Sequence, residues 1–356
     1  MRRSYFSITF AALALLTIAA VTPVAAVSHP YTWVVPTQNL PTIQAAISDS
    51  RVLDGDTIRV KASYREAGAY VNKRLTILGV HDSTSGAVAT IIGKSTSPPI
   101  AGRKAGFVIS SAGSGSKITG FQFDQTCNFP VYASEADDVI IEKTTMNKPV
   151  QGITNWNGKR WKITSNTIVG LRSRSGGGGI GILIGSRLGV ARTASANAVA
   201  LNNIRGELDV EPGYSGFIAA GISLYAAQGA KAVEWNSISG NTLPGPEGKF
   251  CSSYDTEVNL WSIHFDQIYK DKEIVEPKDC RVKGNKALNN VLTHKHYQPS
   301  EKPAGAIGER PKALVAVCGN TVAGNNALGL SLEETQDELP ILDGLAEDSD
   351  LHVRPF

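Results

Sequence analysis

His264-Phe265-Asp266 is the pair in this 356-residue chain best suited to moving a proton. An imidazole changes charge near neutral pH, and a carboxylate two residues on shares its side of an extended chain and can orient it. A structural His–Asp contact is the alternative. Glu207-Leu-Asp209-Val-Glu211 sets three carboxylates on one side of an extended chain. Carboxylate oxygens are the hard ligands that Ca²⁺ prefers, so the segment is a candidate calcium site, although an amphipathic edge strand would alternate in the same way. His294-Lys-His296 aligns two imidazoles, and two ligands are not a site. Tyr132, Trp156 and Tyr225 offer flat faces on which the C–H groups of a sugar ring can pack, or which can stack on one another.

What must position these residues is a repeat. Ile163-Thr-Ser-Asn166-Thr-Ile168 recurs as Val199-Ala-Leu-Asn202-Asn-Ile204, Val233-Glu-Trp-Asn236-Ser-Ile238 and Val317-Cys-Gly-Asn320-Thr-Val322. Val282-Lys-Gly-Asn285-Lys-Ala287 is a weaker copy, and Ile118 and Ile141 open copies without the Asn. Ile141 and Ile163 stand 22 residues apart, and later copies are wider. Short β-type runs repeating at roughly 20–50 residues indicate a solenoid, and an Asn fixed in each turn can stack into a ladder. The eight apolar ends of the four full copies are expected to be buried in stacked parallel strands.

A second pattern alternates with the first: Gly152-Ile-Thr-Asn, Gly181-Ile-Leu-Ile184, Gly221-Ile-Ser-Leu224, Ser262-Ile-His-Phe265 and Gly329-Leu-Ser-Leu332. With Ile153, Ile182, Ile222, Ile263 and Leu330 pointing inward, strand alternation directs two columns outward. One is Tyr132, Thr154, Leu183, Ser223, His264 and Ser331; the next is Ser134, Trp156, Gly185, Tyr225, Asp266 and Glu333. Tyr132, Trp156, Tyr225 and Glu333 thereby become candidate substrate contacts. Loops lengthen on both sides of these strands, over residues 172–179, 207–217 and 243–260, which predicts a groove floored by this sheet. Tolerated drift on a solenoid surface is the other reading. The coil opening at Val282 shows no clear second strand.

Three short strands per coil resemble the right-handed parallel β-helix of the pectin-lyase-like superfamily, over roughly residues 40–335. The expected class is therefore all-β, a single-stranded solenoid with a short capping helix. A helix over residues 40–47, with Pro41 in its first turn and Ile43, Ala46 and Ile47 on one face, suits that cap. Gly55-Asp-Thr-Ile58-Arg-Val60 and Lys73-Arg-Leu-Thr-Ile77-Leu-Gly79 follow it, an opening that also resembles the periplasmic β-helix proteins of nitrous-oxide reductase copper maturation. The superfamily resemblance implies a substrate cleft on the Gly-Ile sheet. It further implies a Ca²⁺ ion or basic residue that neutralises a uronate, with His264, Arg172 or Arg174 as the base for β-elimination. Of the polygalacturonase motifs only Asp137-Asp138 is present, at a turn that is polar in any case, which excludes that hydrolase.

Residues 1–26 read as a secretory signal: Arg2 and Arg3, a short apolar run, then Val24-Ala-Ala26. The run is too short to span a bilayer well, so no stable membrane insertion is expected once it is removed. Without Arg2 and Arg3 the formal charge falls from +3 to near +1, and no basic excess points to nucleic acid. Residues 27–335 form the expected β-helix, and 336–356 an acidic cap or tail. Among four cysteines, Cys251–Cys280 is the expected disulfide, with Cys127 and Cys318 free and buried. The expectation is a secreted or periplasmic protein that binds an extracellular polysaccharide, with cleavage by β-elimination left open. A non-catalytic scaffold or maturation protein is the alternative.

Overall fold

The computed structural model describes residues 30–94, 99–100, 103–173, 178–210, 218–243, 259–268, 277–292, 304–310 and 314–326. Residues 1–26, expected to be a signal, the acidic residues 336–356, Cys251, His294 and His296 lie outside them.

Alternating apolar residues form strands too short to be stable alone, so each must bury its inner face against the next coil. Ten strands stack in a parallel first sheet running from Thr32–Val35 to Thr321–Ala323. Six form a second sheet, from Arg65–Glu66 to Asn203–Val210. The third sheet has nine strands, and its parallel path runs from Tyr70–Val71 to Ala304–Arg310. Successive segments visit first, second and third sheet in turn, which makes the chain an all-β parallel β-helix. Ile77, Ile118, Ile141, Ile163, Val199 and Ile238 stack in the first sheet, and Val131, Ile153, Ile182, Ile222 and Ile263 in the third. All of them are buried in one core.

The cap is the helix Ile43–Ser48, whose buried residues are Ile43, Ala46 and Ile47. Thr42 is its N-cap and accepts from the Ala45 amide, so Pro41 lies just outside the helix instead of in its first turn.

The asparagines form two ladders where one was expected. Along one corner, Asn166 Nδ2 donates to Asn202 Oδ1 at 3.0 Å, Asn202 to Asn241 at 2.9 Å, Asn241 to Asn290 at 2.9 Å and Asn290 to Asn325 at 2.9 Å. Along the next corner, Asn155 donates to Asn197, Asn197 to Asn236, Asn236 to Asn285 and Asn285 to Asn320. The template occurs twice per coil, five residues apart, as in Val233-Glu-Trp-Asn236-Ser-Ile238-Ser-Gly-Asn241. Val233 therefore does not stack on Val199. It pairs with Ala194 and Val282 in a three-stranded corner sheet, and Ile238 takes the place above Val199. Every ladder Asn except Asn155, which ends the second ladder within the strand Gln151–Trp156, follows a residue of positive φ, which turns the corner and aims the amide inward, for example Leu201 (+56°) and Trp235 (+57°). Trp235 lays its ring on Gly284 of the next coil, where a Cβ would stand 2.6 Å from ring carbons.

Of the eight apolar ends, Ile163, Ile168, Val199, Ile204, Val233 and Ile238 are buried. Val317 instead ends the short helix Leu314–Val317, and both it and Val322 are only half-buried where the described stack ends.

The disulfide is Cys280–Cys318, with Cα atoms 5.5 Å apart. Their separation of 38 residues is about one coil, so the two meet at one corner. Cys318 is therefore not free; in a solenoid, distance in sequence counts coils, not separation in space. Cys127 is free and buried, as expected.

Candidate functional site

The candidate residues stand on the outer face of the third sheet, placed by strand phase. Tyr132, Thr154, Leu183, Ser223 and His264 are successive register partners, and Gly308 continues the row. Ser134, Trp156, Gly185, Tyr225 and Asp266 make the adjacent row, continued by Arg310. Both rows match the expected columns up to the last coil. There the strand is Ala304–Arg310, with Ile307 beside Ile263, so the positions assigned to Ser331 and Glu333 belong to Gly308 and Arg310. Gly305-Ala-Ile307 carries the signal that was missed, with Ala between Gly and Ile. Glu333 itself lies outside the described residues.

The face is not lined by exposed rings. Tyr132 is 2% and Trp156 8% exposed, and with Phe129, Leu183 and Ala105 they form a second apolar cluster outside the main core. The rings lie along the sheet instead of standing out from it. Gly185 makes this possible: a Cβ there would come 2.4 Å from the Trp156 ring, so only glycine lets the indole rest on the neighbouring coil. Tyr225, half-buried, meets Trp156 edge-on with ring centroids 5.8 Å apart. Arg187, just past the strand Ile180–Ser186, lays its guanidinium over Trp156 at 4.6 Å and over Tyr132 at 5.4 Å and donates to the Tyr132 hydroxyl. Asn157 Oδ1 accepts from the Arg187 backbone amide and fixes its start. The Trp156 indole N–H is buried and finds no acceptor among the described residues. Arg187 escaped the sequence reading because it lies beyond the strand, although its parity continues the Trp156 row.

His264 and Asp266 come together as the spacing predicts. Nδ1 lies 3.9 Å from Asp266 Oδ2, and the side chains are 2% and 6% exposed. They sit two strands beyond Gly185 in the sheet, about 10 Å along the coil axis.

The remaining candidates fall elsewhere. Arg172 is buried on the second sheet, donating to the carbonyls of Lys148 and Gln125 and, at 3.2 Å, to Asn128 Oδ1. It ties coils together and is not a base. Arg174 and Glu211 lie outside the described residues. Glu207 and Asp209 project from the same side of the strand Asn203–Val210, opposite buried Leu208. No group of three metal-ligating side chains occurs among the described residues. Asp137 and Asp138 are held in ion pairs, Asp137 with Arg192 at 2.6 Å and Asp138 with Arg160 at 2.7 Å, so the turn reading stands.

No family model and no curated protein matches the chain. Solved structures similar to it include an alginate lyase from Paenibacillus sp. str. FPU-7, at 15% identity over 83% of this chain and 99% of that one, with a TM-score of 0.35. Another is the catalytic domain of a GH87 α-1,3-glucanase in complex with nigerose, at 13% identity over 86% and 71%, with a TM-score of 0.37. Both TM-scores lie below 0.5, and the fold rests on the sheet pairing described above.

Proposed function

We propose that this chain is an exported β-helix protein that binds an extracellular polysaccharide along the outer face of its third sheet. The observation that carries this reading is the Trp156 indole: held flat over Gly185, under a cation, with a buried N–H that finds no acceptor among the described residues. A buried donor without a partner costs free energy that a ligand hydroxyl or carboxylate would recover. The aromatic face suits a sugar ring, and the Arg187 charge suits an acidic one.

Further along the same face, His264 and Asp266 supply an acid–base pair. In a β-elimination the imidazole would take the proton beside a uronate carboxylate. The electron pair would form the ring double bond, and the glycosidic oxygen would leave. Glu207, Asp209 and Glu211 would offer oxygen ligands to Ca²⁺ at the neighbouring sheet. The Cys280–Cys318 disulfide suits an oxidising compartment, in keeping with an exported chain.

The second reading is a non-catalytic scaffold, favoured by the near-complete burial of His264 and Asp266. A panel of neutral and acidic polysaccharides, assayed by calorimetry and by the ultraviolet absorbance of unsaturated product with and without Ca²⁺, separates the two. Binding with product supports the lyase. Binding without product leaves a carbohydrate-binding scaffold, and absence of both removes the carbohydrate reading.

A further inference from the structure

We propose that the three-stranded corner sheet carries a binding site of its own for an acidic sugar, a hexuronate whose ring stacks on Trp235 and whose carboxylate meets Arg281. The site lies off the third sheet, and the inference does not depend on that face holding a ligand. The three strands are Ala194–Ser195, Val233–Glu234 and Val282–Lys283. Ala194, Val233 and Val282 are register partners and buried, so the residues on either side of them turn outward. Ser195, Glu234 and Lys283 make one outward row, and Thr193, Ala232 and Arg281 the other. Trp235 follows Glu234 at the corner.

Trp235 is 66% exposed although its backbone is left-handed, with φ +57°. That conformation costs free energy in a residue with a Cβ, whereas Gly284 and Gly319 take the same corner freely in the next two coils. Burial returns little of that cost to so open a ring. The indole is nonetheless held in place: it rests on Gly284, where a Cβ would stand 2.6 Å from ring carbons. Strain kept at an exposed position points to a use for the side chain.

Arg281 is an independent observation. It is half-buried, makes no ion pair among the described residues, and its buried Nη1 finds no acceptor among them. Unmet guanidinium donors cost free energy that a carboxylate recovers through charge-assisted hydrogen bonds. Arg281 stands beside Ala232, three residues before Trp235, so no more than roughly 10 Å of strand separates the two positions. A pyranose ring bearing a carboxylate spans what two long side chains leave of that distance, above the small Ala232. The Thr193 and Ser195 hydroxyls, 3.3 Å apart, lie on the neighbouring strand and suit sugar hydroxyls. Glu234 is 3.6 Å from Lys283, so that pair is neutral together, and exposed Lys231 adds to the positive balance. A protein partner would need contiguous apolar surface around the indole, and here its neighbours are hydroxyls and charges.

The test uses the full-length chain with tetragalacturonate and tetramannuronate as probes and cellotetraose as the neutral control. N-bromosuccinimide should oxidise Trp235, read by peptide mass analysis, and one of the two uronates should protect it while cellotetraose does not. Arg281→Gln should raise the half-protecting concentration of that uronate roughly ten-fold. Oxidation of Trp235 that neither uronate slows overturns the proposal, a result that needs no variant to fold. So does equal protection by cellotetraose, or an Arg281→Gln chain protected as well as the unmodified one. Protection that persists in Tyr225→Ala keeps the corner site whatever the third-sheet face does. Uronate binding that falls in Tyr225→Ala, with no protection of Trp235, retires the corner site and keeps the third-sheet reading.

Discussion

Asn202 and Asn241 lie 39 residues apart and touch: the Asn202 side-chain amide donates to Asn241 Oδ1 at 2.9 Å, and the Asn202 backbone amide donates to the same oxygen. Asn241 in turn donates to Val199 O and to Asn290 Oδ1. Every rung thus satisfies backbone groups of the coil below and hands on an acceptor from the coil above. Asn241→Ala leaves two buried donors and two acceptors short of a partner. We expect a loss of about 3 kcal/mol or more, read as a lowered urea midpoint. An unchanged midpoint would mean the ladder is ornamental to stability.

The Cys280–Cys318 bond closes a 38-residue loop. Cross-links of that span are worth about 3–4 kcal/mol in chain-entropy terms. Reduction, or Cys280→Ser, should lower the melting temperature of the protein, and Cys127→Ser should leave its redox response unchanged.

On the outer face of the third sheet, Tyr225→Ala is the informative test of the proposed binding, because Tyr225 is half-buried whereas Trp156 packs in an apolar cluster. Loss of one stacking partner should weaken an oligosaccharide by about 0.5–1.5 kcal/mol, up to roughly ten-fold, by calorimetry. Trp156→Ala should cost about 3–5 kcal/mol of stability as well, so it cannot serve as a clean binding probe.

Acid should weaken the turn at Asp138. Its hydrogen bonds to the Arg160 guanidinium hold the carboxyl below the ordinary carboxylate value. A pKa depressed on folding contributes stability that is present above the unfolded value and is lost as pH falls through the folded one. The pair is half-exposed, so the contribution is about 1 kcal/mol at most. Asp138→Asn should lower stability at pH 7 by that amount and should flatten the decline towards pH 3 in a pH series of urea melts.

Calcium should raise the melting temperature if Glu207, Asp209 and Glu211 bind it, by mass action on the folded state. Asp209→Ala should abolish the rise. A chain that gives neither calorimetric heat nor a thermal shift with millimolar Ca²⁺ would leave the segment an amphipathic strand.

The class of fold was legible because burial demands repetition. Ile153, Ile182, Ile222 and Ile263 recur in phase, and phase also set the outer rows correctly from Tyr132 to His264. The corner assignment was not legible in the same way, because the Asn template occurs twice in each coil and a single-template reading steps from Asn202 to Asn236 instead of Asn241. Alternation gives a side chain's direction and not what lies above it, which is why Trp156 was expected in the open. Arg187 lies past the end of its strand, where alternation is silent. Cys318 was misjudged because separation along the chain was taken for separation in space.

The tandem template leaves the fold with a reading-frame problem. Asn197 and Asn202, Asn236 and Asn241, Asn285 and Asn290, Asn320 and Asn325 are pairs of equivalent signals five positions apart. A coil docked one corner out of step would still meet asparagine with asparagine and apolar with apolar, so the ladders cannot choose the frame. Only features that differ between corners can choose it: Trp161, buried with its indole on Ala136 O at 2.7 Å, and the Gly-Ile strands of the third sheet. The strand that carries Ser223, Tyr225 and their neighbours therefore also tells each coil where to begin. Substitutions that remodel this face would meet a second constraint, because the same strand that presents it keeps the chain in frame.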